Sequence, residues 1–182
     1  MGIPRGFIKQ LPRIRGLIGY YGVHRQEGPV DIDGLITEKL KIKLRYADFD
    51  QDEWIFGFSK VDEIQTKKRF IVINQAKPYR TQRFVKGHEL GHIWIHPPED
   101  LPLMCNPLYE SKALEREADY FAAYLLVPKY ALESIRKYGN SFDDIALGLE
   151  VPRELVHKRF EIYMYQNKME AGSIPNWNQV AF

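Results

Sequence analysis

The sequence predicts an α+β fold, a short three-stranded sheet packed with helices, on three observations. Apolar and polar residues alternate in three runs between residues 40 and 75, an apolar stripe of helical period covers 78–96, and further helical patterns follow. The runs are "LKIKLRYADF", "WIFGFSKVD" and "RFIVINQ", joined by polar turns at 48–53 and 65–69, and they predict an antiparallel or mixed sheet. Before them, Pro4, Gly6, Pro12 and Gly16 break residues 1–39 into an irregular N-terminal segment with a short helix at most. Pro78 suits the first turn of a helix that Pro97 and Pro98 stop. After the proline-rich stretch "PPEDLPLMCNP", a second helix is expected from about residue 108 to Val127, closed by Pro128.

Residues 40–138 would thus form the core. Residues 139–166 divide into a helix capped by Ser141, a turn at 148–151 and a helix from Pro152 to about Tyr165, a helix-turn-helix-like pair. Residues 167–182 are expected to be a tail. A length of 182 residues suits one core better than two, so 1–182 is expected to be a single domain.

Composition narrows the classes of function. A net charge of +2 is too mild for a nucleic-acid footprint, which argues against direct nucleic-acid binding. The single cysteine, Cys105, excludes an internal disulfide and fits a reducing compartment. No apolar run is long enough to span a bilayer or form a signal-peptide core, so no membrane partner is expected and the cytoplasm is the expected location.

The chemistry is concentrated in "KGHELGHIWIH". His88 and His92 are one helical turn apart on one face, the spacing two imidazoles need to hold one ion. Glu89 lies about 100° around the helix from His88, off the metal yet near a water bound to it. The pattern His-Glu-x-x-His matches the zinc metalloprotease signature, in which the glutamate is the general base. Catalytic zinc takes a third protein ligand, and Pro98 excludes a histidine ten residues after the first. "EREADYFAAYLLVP" offers one instead: Glu115 is the natural third ligand, and Asp119, on the same face, could accept the free ring N–H of a liganding histidine, first of all His88. Glu117 should face away. Gly87 and Gly91 each cost about 1 kcal/mol in a helix interior. They form a bare strip that, with Ala118 and Ala122, predicts two tightly packed helices.

Other residues carry weaker signals. His96 extends the stripe but sits before two prolines, as a cap or pocket wall rather than a ligand. Cys105 could cap the metal but reads better as a small buried residue. Tyr109, Tyr120 and Tyr124 could stabilise an oxyanion or could simply pack. Arg153, His157, Lys158 and Arg159 raise DNA binding by the last helix pair, though Glu154 and Glu161 dilute their charge.

"FVKGHELGHIWIH" together with "EREADYFAAYLLVP" resembles the ImmA/IrrE family of zinc metallopeptidases over residues 69–128, and more weakly through "IALGLEVPRELVHKRF". The resemblance implies a small zincin-like domain with His88, His92 and Glu115 as ligands to one Zn2+ per chain and Glu89 as catalytic acid/base. It also implies a protein substrate, a helix-turn-helix transcriptional repressor cut in a stress, phage or mobile-element response. The resulting expectation is a zinc-dependent endopeptidase, with other divalent ions able to fill similar ligands. "RFIVINQ" would be an edge strand along which substrate pairs, with Ile71, Ile73, Asn74 and His96 as candidate contacts. The rival expectation is a noncatalytic regulatory or DNA-binding protein that retains the fold.

Overall fold

The computed structural model describes residues 2–24, 27–49, 55–61, 69–96 and 112–171. Residues 97–111, with Cys105 and Tyr109, most of the two expected polar turns, and residues 172–182 lie outside the described residues.

The N-terminal segment departs from expectation. Residues Arg5–Tyr21 form a helix, α1, with Pro12 inside it. Phe7, Leu11, Ile14 and Ile18 recur at helical spacing and are buried. Burying four such side chains is worth about 1.5–3 kcal/mol each. One interior proline costs roughly 3 kcal/mol, so the stripe wins. Gly22 ends the helix in the left-handed region at φ 63°, and the Val23 N–H donates back to the Ile18 carbonyl at 3.1 Å. After Asp31, whose side chain caps it, the short turn α2 (Ile32–Gly34) runs into a wide π turn at Leu35–Lys39.

The sheet comprises β1 (Lys43–Ala47), β2 (Gly57–Val61) and β3 (Arg69–Asn74) in the order β1-β3-β2. β3 runs parallel to β1 and antiparallel to β2, so the sheet is mixed. The β-branched run Ile71, Val72, Ile73 is buried, as suits a central strand. This corrects the expectation of an edge at "RFIVINQ": both sides of β3 are already paired, and Ile71 and Ile73 are fully buried. Asn74 is also engaged, its side-chain amide donating to the Ile55 carbonyl at 2.8 Å.

The remaining elements are α3 (Tyr79–Ile95), α4 (Lys112–Leu126), α5 (Lys129–Tyr138), α6 (Phe142–Gly148) and α7 (Arg153–Ala171). α3 begins after Pro78 and ends at His96, as its prolines predict. α5 was not foreseen, although Pro128 before it and Gly139 after it, at φ 75°, are ordinary boundary residues. Ser141 caps α6 through the Asp144 N–H, while Asp144 accepts from the Ser141 N–H at 2.8 Å. α7 takes residues 167–171 from the expected tail.

α3 packs most extensively on α4, along the strip of small residues. A Cβ on Gly91 would lie 3.0 Å from Phe121 Cδ1 and 3.2 Å from Ala118 Cα, and one on Gly87 would lie 3.3 Å from Ala122 Cβ. The two glycines therefore set how closely the helices approach. Gly91→Val should cost about 1–3 kcal/mol by overpacking. Urea unfolding measures this, and a variant as stable as the parent would show that the close approach is dispensable.

Both flanks of this helix pair are fastened from afar. Lys86, only 2% exposed, donates to Asp33 Oδ1 at 2.6 Å, and Arg83 donates to the Val30 carbonyl at 2.8 Å, tying α3 to the α2 region. At the C-terminal end of α4, His24 donates to the Leu125 carbonyl at 2.8 Å and Arg159 to the Val127 carbonyl at 3.0 Å. Arg159 is 2% exposed, with its guanidinium 4.6 Å from the centre of the Tyr124 ring. Carbonyls at a helix C-terminus lack intrahelical partners, and these two side chains supply donors there.

Candidate metal centre

The site lies where α3 and α4 cross. His88 and His92 occupy successive turns of α3, and Glu115 lies in the first turn of α4. Their donor atoms form a small triangle. His88 Nε2 lies 3.0 Å from His92 Nε2, His88 Nε2 lies 3.1 Å from Glu115 Oε2, and His92 Nε2 lies 3.1 Å from Glu115 Oε1. Two ligands tetrahedrally placed about 2.0–2.1 Å from one zinc are roughly 3.3 Å apart. The three residues therefore fit a metal ion in donor chemistry and spacing alike. Among the described residues they form the one His/Cys/Asp/Glu cluster able to do so.

Each imidazole is held from behind. His88 Nδ1 donates to Asp119 Oδ1 at 2.9 Å, which turns Nε2 toward the triangle, where a bound cation would displace its proton. His92 Nδ1 lies 3.0 Å from His96 Nδ1. In the tautomer that ligates a metal through Nε2, His92 would donate its Nδ1 proton to His96. Burial, aided by His92, pushes the His96 pKa down to about 4, which keeps His96 neutral and fit to accept. Sequence reasoning gave His96 a cap or wall role and missed this hydrogen bond. The i, i+4 stripe already carries His96 onto the face of His92, but the period alone does not say that the two rings meet.

The charges are strongly coupled. Burial opposes a charge on His88, but the hydrogen bonds to Asp119 and Glu115 outweigh it and push its pKa up to about 10. Burial likewise opposes a charge on Glu115, yet the two imidazoles hold its carboxyl well below the usual carboxylate range. The pocket thus favours an anionic Glu115 facing positive charge, the environment a cation-binding carboxylate needs. Glu89, on α3 directly after His88, is 8% exposed and near enough to raise the His88 pKa.

Other singled-out residues fall elsewhere. Glu117 lies outside the triangle, with its carboxylate packed over Gly6 of α1 and 3.6 Å from His96 Nε2. Tyr120 donates its hydroxyl to Glu161, and the Tyr124 ring packs on Phe7 and under Arg159. Both tyrosines are thus taken up in packing between helices.

A small mixed sheet backed by helices, with two histidines and a glutamate converging from two crossed helices, defines a small zincin-like metallopeptidase domain. Residues 37–161 match the Peptidase M78 model, described as the IrrE N-terminal-like domain, and the chain belongs to this ImmA/IrrE family. It is also 36% identical over 104 residues to the uncharacterized immunity region protein 2 of Bacillus phage phi105. That alignment covers 57% of this chain and 64% of the phage protein, less than two thirds of the latter's length. No solved structure matches the chain.

Proposed function

We propose that the protein is a zinc-dependent endopeptidase that cleaves a helix-turn-helix transcriptional repressor in a phage or mobile-element response. The observation that carries this reading is the closed triangle of His88, His92 and Glu115, with an ionisable Glu89 beside it on the same helix. His88, His92 and Glu115 would hold the ion. When bound, zinc supplies Lewis acidity, lowering the pKa of a water and polarising a peptide carbonyl. Glu89 takes the proton from the attacking water and passes it to the leaving amine, so its carboxylate is regenerated when the C–N bond breaks. Asp119 and His96 keep the two imidazoles in the tautomer that points Nε2 at the site.

The substrate class rests on the family and on the phage relative's place in an immunity region. A repressor target implies work in the cytoplasm. In keeping with that, no helix among the described residues is long and apolar enough to cross a membrane. The rival reading, DNA contact through α7, has few basic groups left to use: Arg159 is buried, Arg153 pairs with Asp143 at 3.0 Å, and Lys158 turns toward Asp119.

The test is elemental mass spectrometry of protein purified without added metal, followed by incubation with candidate repressors with and without a chelator. One zinc per chain and chelator-sensitive cleavage are expected. Protein that neither carries zinc nor takes it up when supplied would end the peptidase reading. An electrophoretic shift on operator DNA would then favour the rival.

A further inference from the structure

α7 reaches the rear of the metal site. Lys158 Nζ lies 3.4 Å from Asp119 Oδ2, while the other oxygen of the same carboxylate lies 2.9 Å from His88 Nδ1. Lys158, Asp119 and His88 thus form one chain of contacts running from the C-terminal helix pair to the donor triangle. The next residue of α4, Tyr120, is tied to α7 separately, through Glu161. Lys158 and Glu161 are three apart on α7 and share a face, so neighbouring α4 residues are tethered to α7 by independent contacts.

We propose that Lys158 is a positioning residue for the metal site: from α7 it fixes the Asp119 carboxylate, and through Asp119 it sets how firmly His88 presents Nε2 to zinc. This rests on the reading of His88 as a metal ligand. A carboxylate held by one oxygen alone can turn about its last side-chain bond, which has a broad, two-fold profile. An ammonium on the second oxygen removes that freedom and holds the first oxygen on His88 Nδ1. With Lys158 and Asp119 side chains 32% and 25% exposed, the ion pair itself adds little to folding, so its effect should register at the metal rather than in stability. α7 is then a working part of the metal centre.

The test is the zinc dissociation constant, by chelator competition, of the wild-type chain and of Lys158→Met, Lys158→Arg and Tyr120→Phe, with thermal unfolding of the metal-free forms alongside. Lys158→Met should bind zinc about tenfold more weakly at an unchanged unfolding temperature, the lower end of what losing an outer partner costs. Lys158→Arg should bind within about threefold of wild type, because a guanidinium still reaches and pairs with the carboxylate. Tyr120→Phe removes the other tether without touching Asp119 and should leave zinc affinity unchanged. Wild-type affinity in Lys158→Met would overturn the proposal. Equal weakening in Tyr120→Phe would also overturn it, by tracing the effect to general packing of α4 on α7. A wild-type chain that binds no zinc would instead overturn the metal reading beneath it.

Discussion

Glu89→Gln should retain its zinc and lose peptide cleavage by about 10²–10⁴-fold, the usual contribution of a positioned general acid/base. The amide has the shape of the carboxylate, so a residue 8% exposed on α3 can be replaced without opening a cavity or moving His88. What it lacks is basicity: it cannot take a proton from water and so cannot return one to the departing amine. Zinc content and cleavage rate, measured on one preparation, separate binding from proton transfer. Full-rate cleavage by the variant would remove Glu89 from the mechanism. Loss of zinc together with activity would show that Glu89 supports the site rather than the reaction.

Glu115→Ala should lower zinc affinity by more than about 100-fold, beyond the range seen when a merely supporting group is lost. Glu115 is the single contribution of α4 to the donor triangle, and its two oxygens lie 3.1 Å from His88 and His92 respectively. Without it the imidazoles remain as a pair, one protein ligand short of a catalytic zinc site. Glu117→Ala, on the same helix but outside the triangle, is the control and should keep zinc. Unchanged occupancy in Glu115→Ala would mean that the third ligand comes from elsewhere.

Much of the centre could be read from spacing, because its geometry is local. His88 and His92 are fixed by the helical period, as are Glu115 and Asp119. Gly87 and Gly91, unfavourable where they stand, pointed to the close helix contact that brings the two pairs together. What spacing could not show was decided by long-range pairing. The position of a strand within a sheet depends on its neighbours, so β3, expected at an edge, is the central strand because β1 and β2 pair with it on either side. In α1 the prolines and glycines signal a break locally, yet the periodic stripe Phe7, Leu11, Ile14, Ile18 prevails because it has a core to pack against. Arg159 read as a candidate DNA contact, and nothing in the sequence marked it as the buried donor to a carbonyl of another helix.

The capping of α4 has a consequence in time. A ribosome releases α1 and His24 long before Leu125, their partner 101 residues later, and Arg159 emerges after both. Phe7 of α1 packs against Tyr120 and Tyr124, which come only with α4, and the Arg159 donor to the Val127 carbonyl comes only with α7. The nascent chain would therefore complete its candidate metal site late, when both flanking segments have closed on the helix that carries Glu115. Such an order of assembly would keep the donor triangle loosely held during most of the chain's own synthesis.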